Sequence, residues 1–573
     1  MGGSWYNQIL LKIPFAKVRL FVLQAPVHPI QCTFLYDFKG MDCLRNENPS
    51  RFQRYIQLYR CSMISRVQSC AIIGLHGIPI EVEVDISKGF PGFHIVGLAD
   101  TAINEAKERV RSALKNSEIQ FPYTRRILIN LAPADVRKTG PLYDLPIAVG
   151  ILLNVLRVDY DIQDALFVGE LALDGSLRHV DGVVSIARFA REHGFRRLYL
   201  PAVDAAEADL IPDVELVPLH HIRELIFVML SRAELPKHFG SGVHLLEGTE
   251  SYAYDMADIK GQQLVKRALE VAAAGGHNLL FSGPPGSGKT LLAKTFPSIL
   301  PTMTLSEIIE VTQIYSVVGK LAKGGAIMRQ RPFRTPHHTA SGVALVGGGK
   351  IPKPGEITLA HRGVLFLDEF PEFSRLVLEA LRQPLEEGTI SIARAAGTVE
   401  FPARFILIAS QNPCPCGYAD DSEKECRCSQ QSILNYQKKI SGPILDRIDM
   451  LIDVPRVEFD DLTQKGRAES SASIRVRVQK ARDIQLSRVK NSSVSQCNAD
   501  MTQEEIKGGC VLSPQGIDLL RLAVKKFHLS ARVYFRIIKV ARTIADLSSS
   551  VNIEPTHIAE ALQYRFRDSD EKV

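Results

Sequence analysis

From Gly283 to Thr290 the chain reads GPPGSGKT, directly after the apolar run Asn278-Leu279-Leu280-Phe281-Ser282. No other string constrains the fold as much, because G-x-x-x-x-G-K-[ST] works only where a buried strand turns tightly into a helix. In that setting Gly283, Gly286 and Gly288 let backbone N–H groups wrap phosphates, within a turn completed by Pro284, Pro285 and Ser287. Lys289 reaches the β and γ oxygens, and the Thr290 hydroxyl suits Mg2+. The expected ligand is a nucleoside triphosphate with its magnesium ion. An accidental glycine turn is the competing reading, and the complete strand–turn–helix context weighs against it.

Further on, Gly363-Val364-Leu365-Phe366-Leu367-Asp368-Glu369 is an apolar strand ending in two carboxylates. Two acids at a strand end are ordinarily a solvated turn. After a phosphate loop they divide the work: Asp368 is expected to hold Mg2+ with Thr290, and Glu369 to polarise the attacking water. A third apolar run, Phe405 to Ser410, leads into Gln411-Asn412, and the Asn412 amide can orient the same water.

The 573 residues allow roughly two to four domains, each with its own core. A content of 45% hydrophobic and 23% charged residues excludes a disordered or fibrous chain. The net charge of +6 permits nucleic acid as a partner without demanding it. No apolar run is long enough to span a bilayer, so no membrane association is expected. The ten cysteines are too few for a disulfide scaffold, and their clustering points to metal and to a reducing, cytoplasmic setting. Residues 1–62 carry Trp5 with scattered aromatic and basic residues and no cleavage site. They are expected to be a disordered leader or a start-site artefact, with Met63 as the working start. Alternating αβ patterning then covers residues 63–235, with strands near Ile80–Val84, His94–Val96, Arg126–Asn130 and Leu198–Leu200. A Gly- and Ser-containing linker is expected over 236–256, the phosphate-binding core over 257–455, and a polar stretch followed by a helical lid over 456–573.

These motifs occur with Asp258-Ile259-Lys260-Gly261-Gln262, RPFRTPHHTAS (Arg331 to Ser341), NPCPCG (Asn412 to Gly417), GPILDRID (Gly442 to Asp449) and LSARVYFRIIKVARTIADL (Leu529 to Leu547). Together they resemble the magnesium-chelatase-like AAA+ ATPases, and most closely the ComM (YifB) competence family, from Met63 to about Tyr564. The resemblance implies an α/β fold: a Lon-protease-like αβ N-terminal domain, an AAA+ P-loop ATPase core and a C-terminal helical lid. It implies ATP and Mg2+ as ligands, a ring of identical subunits, specifically a hexamer, and DNA as partner. The implied activity is a DNA helicase promoting branch migration during natural transformation, with a chelatase-like or chaperone-like motor as the alternative. Asn412 becomes the first sensor, Arg447 the arginine finger and Arg532 the second sensor. On the residues alone, Arg447 in Asp446-Arg447-Ile448-Asp449 reads rather as an internal salt bridge. Ile259, Gly261 and Gln262 match the segment that covers the base in similar ATPases, whereas the plain alternative is a helix start. The N-terminal domain departs from the protease pattern, with Leu142 where a serine would follow Gly-Pro and Val184 at the lysine position. Proteolysis is not expected.

Three further features carry chemistry. Val343 to Lys353 is a glycine-hinged insert, and Thr389 to Phe401 reads as a hairpin with its turn near Ala395-Ala396-Gly397. Arg394 at the tip, with Lys350 and Lys353 on the insert, is the expected DNA contact, against the alternative of solvated loop cations. Cys414, Cys416, Cys426 and Cys428 form C-x-C-x9-C-x-C, which suits a structural Zn2+ site or, alternatively, a reduced cysteine-rich loop.

Overall fold

Alternating burial along Ser65–Ile73 (β1) and His76–Ser87 (β2) sends Val67, Ile80, Val82 and Val84 inward and pairs the two strands antiparallel, from Ser65 with Val84 to Ile73 with His76. The hairpin opens a computed structural model that describes residues 64–565, apart from 99, 159, 232, 234, 241–251, 322–326, 350–351, 395–396, 420, 422–423, 458–467 and 489–495. The expected leader, most of the expected linker and Lys350 lie outside the described residues.

Six more strands extend the hairpin: Gly92–Val96 (β3), Arg126–Ala132 (β4), Ala165–Phe167 (β5), Arg197–Pro201 (β6), Glu215–Leu219 (β7) and His238–Phe239 (β8). The mixed sheet runs β8-β7-β6-β5-β1-β2-β4-β3. Helices Thr101–Asn116 (α1), Asp144–Leu156 (α2) and Val183–Glu192 (α3) accompany it, α1 starting where the Asp100 carboxylate accepts from the Ile103 N–H at 2.9 Å.

The second sheet is wholly parallel and buried, as its near-continuous apolar strands require. Leu279–Ser282 (β9), Phe333–Arg334 (β10), Val364–Leu367 (β11), Ile406–Gln411 (β14) and Met450–Asp453 (β15) run in the order β10-β11-β14-β9-β15. Between β11 and β14, Thr389–Arg394 (β12) and Gly397–Pro402 (β13) form the expected antiparallel hairpin, paired from Thr389 with Pro402 to Arg394 with Gly397. Helices Gln263–Gly275 (α4), Lys289–Thr295 (α5) and Leu305–Val317 (α6) flank the sheet. A capping box between Thr304 and Glu307 starts α6.

The two sheets share one apolar cluster, in which Val183, Leu198 and Leu216 join Val311, Ile314, Leu365 and Leu407. Polar contacts follow the same seam. Gln313 of α6 donates to the Leu75 carbonyl at 2.7 Å and to Ser185 Oγ at 3.0 Å, and Ser316 donates to Glu207 at 2.9 Å.

The segment Ser470–Gln503, which reads as a polar stretch, instead contains the helix Ser471–Arg488 (α7). Its buried positions Ile474, Val478, Ala481 and Gln485 face α4, and Gln485 donates to the Ala274 carbonyl at 3.1 Å. A narrow stripe with one alanine and one glutamine was enough, because the polar residues beside it also find partners: Arg475 donates to the Ser298 carbonyl, Arg482 to the Ala273 carbonyl and Arg488 to Asp546. Pro514–Phe527 (α8), Ala531–Leu547 (α9) and Pro555–Gln563 (α10) complete the helical C-terminal region.

Candidate nucleotide site

The buried strand β9 ends at Ser282, and α5 begins at Lys289, so the loop GPPGSG hangs over the C-terminal end of the sheet. Gly286 and Gly288 take left-handed φ values of +81° and +88°, and a Cβ on either would meet nothing within 4 Å. Conformation demands glycine there, while the space above remains open to a phosphate. Lys289 is buried and folds back onto its own loop, donating to the Gly283 and Pro284 carbonyls at 2.7 and 2.9 Å and to Asn412 Oδ1 at 3.3 Å. Burial pushes its ammonium pKa down, against the opposing pull of Asp368. A phosphate would replace three neutral acceptors with an anionic one.

Parallel pairing brings the other strand ends alongside: Ser282 lies beside Gln411 of β14, and β11 pairs on the far side of β14. Thr290 accordingly donates to Asp368 Oδ2 at 2.9 Å, and Ser410 hydrogen-bonds to Asp368 Oδ1. Thr290 and Asp368 together offer hard oxygen ligands of the kind Mg2+ takes. Glu369 sits in the left-handed region (φ +52°), where it starts a short 3-10 turn, and its side chain is half exposed.

Two participants escaped the sequence. Ser410 is the small polar residue closing an apolar strand, and it anchors Asp368. His338, from the segment after the edge strand β10, places Nδ1 3.5 Å from Glu369 Oε2 and lies tilted against His337 with ring centroids 4.2 Å apart. The sheet order puts β10 beyond β11 from β9, so His338 approaches Glu369 from the side away from the phosphate loop. The double histidine inside RPFRTPHHTAS was the available signal.

The segment before α4 divides. Gln262, at φ +52°, donates through Nε2 to the Ser287 carbonyl at 2.8 Å and to Pro455 O at 3.2 Å, bracing the phosphate loop. Gly261 is also left-handed, whereas the Ile259 side chain is buried in the apolar core.

Arg447 and Arg532 lie elsewhere. The N–H groups of Asp449 and Met450 both reach the Asn278 carbonyl, at 3.1 and 3.0 Å, so this region is level with the start of β9, while the phosphate loop leaves its end. Arg447 is buried and bonded to Glu386 and to the Pro443 carbonyl within its own chain. Arg532, largely exposed, stands 3.9 Å from the same Glu386 carboxylate. The internal ion pair weighed for Arg447 is present, and both arginines share one acid at the end of the sheet opposite their own phosphate loop. Below them burial pushes the Asp449 carboxyl pKa up, but Arg536 and His277 outweigh this and hold it well below the usual range.

The insert and the hairpin meet. Arg394 donates to the Gly349 carbonyl at 3.4 Å, and Lys353 pairs with Gly348 across a short ladder. Four thiols converge beside Asn412: Cys414 lies 3.3 Å from Cys416 and 3.7 Å from Cys426, and Cys416 lies 3.6 Å from Cys426. With Cys428 included, the four sulfur atoms fall within 4.8 Å of one another. Among the described residues no helix is long and apolar enough to cross a membrane.

Comparison with known proteins fits this geometry. Residues 255–462 match the family described as magnesium chelatase, subunit ChlI, residues 82–204 the description subunit ChlI of Mg-chelatase, and residues 468–565 magnesium chelatase, subunit ChlI C-terminal. Competence protein ComM of Haemophilus influenzae is 44% identical over 505 residues, covering 87% of this chain and 97% of that protein. The uncharacterized protein YifB of Escherichia coli is 41% identical over 88% of this chain and 97% of its own length. A more distant likeness, 26% identity over 37% of this chain and 22% of the other, is to DNA replication licensing factor Mcm2 of Drosophila melanogaster. AAA+ proteins of the magnesium-chelatase type use ATP and Mg2+, and the phosphate loop, Lys289 and the Thr290–Asp368 pair have the chemistry to hold both. With family matches along most of its length and ComM-type relatives aligned almost end to end, the chain belongs to the magnesium-chelatase-like AAA+ family, alongside ComM and YifB.

Proposed function

We propose that the protein is a Mg2+-dependent ATPase that works as a hexameric DNA helicase, driving branch migration in recombination during natural transformation. One observation carries the reading: Lys289, Asn412, Thr290, Asp368 and Glu369 converge at the strand ends, and the chain just beyond the nearby His338 leads into the insert that meets Arg394. Mg2+ would neutralise charge on the phosphates. Lys289 turns from its loop carbonyls to the β and γ oxygens, Asn412 orients the water and Glu369 accepts its proton. Arg447 and Arg532 face away from their own phosphate loop and serve the pocket of a neighbouring subunit, which makes a ring the working unit. Ile259, Gly261 and Gln262 border the base, and a structural Zn2+ occupies the cysteine quartet.

The αβ N-terminal domain is Lon-protease-like in this reading and serves assembly. Leu142 and the buried Val184 supply neither nucleophile nor amine. DNA phosphates contact Arg394, Lys353 and Lys350 inside the ring. The experiment is ATP hydrolysis with and without four-way junctions, for the parent and for Arg394→Ala combined with Lys350→Ala and Lys353→Ala. Stimulation by junctions is expected in the parent. The triple variant should keep basal hydrolysis and lose stimulation. Its DNA binding should depend less steeply on salt, by about 0.9 in log–log slope for each phosphate that is no longer neutralised. A parent that neither binds DNA nor responds to it would move the assignment to a chelatase-like or chaperone-like motor acting on proteins.

A further inference from the structure

The loop from Pro413 to Ser429 has almost nothing apolar to hold it. Between Ala409 and Tyr436 the only buried apolar side chains among the described residues are those of Pro413 and Cys414. A segment without a core needs a staple. Here the sulfur separations of 3.3, 3.6 and 3.7 Å come close to the edge of a ZnS4 tetrahedron, about 3.8 Å for Zn–S bonds of about 2.3 Å. The Cys428 N–H points at Cys426 Sγ at 3.4 Å, a donor that stabilises thiolate charge. Four thiolates with no place for water make a closed site, which suits Zn2+ and leaves it no catalytic role.

The loop is also part of the pocket. Cys414 follows Asn412 by two residues, and Asn412 accepts from Lys289. Gly417, at φ +88°, lies so close to the phosphate loop that a Cβ there would stand 2.5 Å from Pro285 Cδ. On its other side Asp421 pairs with Arg456 at 2.9 Å, next to Pro455, whose carbonyl accepts from Gln262. The cysteine loop thus touches the phosphate loop, the sensor asparagine and the strand end that braces Gln262.

We infer that Cys414, Cys416, Cys426 and Cys428 bind one structural Zn2+ and that this centre forms the outer wall of the nucleotide pocket, so that zinc loading sets nucleotide affinity. The second half of the inference rests on the reading of Gly283–Thr290 as the nucleotide site; the first half does not.

The test uses the full chain purified without chelator. Elemental analysis should find about one zinc per chain, and Cys414→Ser with Cys426→Ser should abolish it. Protein grown with cobalt should show the visible bands of tetrahedral cobalt thiolate. If the double variant does not fold, zinc is released from the parent with an organomercurial, followed with a chromogenic chelator and restored with thiol and Zn2+. A fluorescent ATP analogue should bind at least about tenfold more weakly after release, the loss expected for one hydrogen bond to a charged group, and recover on reloading. Metal near zero, unchanged metal after the double substitution, or an iron–sulfur spectrum would overturn the zinc centre. Complete release with unchanged nucleotide affinity would overturn the coupling. Zinc-loaded protein that binds no nucleotide would instead refute the phosphate-loop reading and leave the metal centre standing.

Discussion

Replacing Arg447 by alanine pits two effects of different size against each other. Within its own chain the guanidinium is buried against Glu386 and the Pro443 carbonyl, so the substitution removes an ion pair, a hydrogen bond and packing of the stem. Glu386 is 47% exposed, and solvent screening limits that pair to about 1 kcal/mol. The hydrogen bond adds about 1 kcal/mol, and in a chain of this length the total lowers Tm by a few degrees. An arginine placed on a neighbour's γ-phosphate contributes about 10³ to 10⁵ in rate, or about 4 to 7 kcal/mol of barrier. The catalytic effect therefore wins by a wide margin. Steady-state hydrolysis by Arg447→Ala should fall about a thousandfold or more while calorimetry shows a folded protein with a small Tm decrease. Mixing it with Glu369→Gln, itself able to bind ATP and assemble but nearly unable to turn over, should restore hydrolysis at interfaces that combine an intact arginine with an intact base. Turnover within about tenfold of the parent, or no recovery at any ratio although mixed rings form, would refute the trans role.

His338→Ala should free Glu369 from the side away from the phosphate loop; a half-exposed pair of about 0.2 to 1 kcal/mol corresponds to about a 1.4- to fivefold rise in DNA-independent hydrolysis. Unchanged basal turnover would leave that contact without a role in catalysis. His179, near the seam between the two sheets, has its pKa raised from 6.5 to about 10 by hydrogen bonds to Asp181 and Asp204. A raised value gives stability that is complete below pH 6.5 and fades as the pH climbs towards about 10. Thermal unfolding across that window should show the gap between the parent and His179→Gln closing as pH rises, and a constant gap would contradict the linkage.

The phosphate-loop turn and the acid-tipped strand were legible in the sequence because each is local. GPPGSGKT and the strand ending in Asp368-Glu369 announce themselves in a few residues, and the hairpin from Thr389 follows from alternation around a glycine turn. What stayed hidden depends on partners far along the chain. Helix α7 escaped because its inward stripe includes Ala481 and Gln485, which no polarity count marks as buried. The Glu386 bridge to Arg447 and Arg532 joins three segments that only the fold brings together. The approach of His338 to Glu369 likewise required the order of the strands. Between the two sheets, the pairing of Gln313 with Leu75 and Ser185 could not be read from a helix whose other residues already accounted for its amphipathicity.

That shared cluster between the sheets bears on how the chain can be dissected. Val311 and Ile314 of α6 are fully buried in the cluster they share with Val183 and Ile186 of α3, the helix packed against α6. Trimming the chain back to residue 257 would strip away that cover, exposing a greasy flank and leaving Gln313 without Leu75 and Ser185. Such a truncation should precipitate or recruit chaperones even though the phosphate loop, Asp368, Glu369 and Asn412 all survive. Heating the whole chain should melt both sheets in a single transition rather than two. In mechanical terms the N-terminal layer rides on α6 as a fixed load, so any tilt of that helix is carried outward as the swing of an entire sheet.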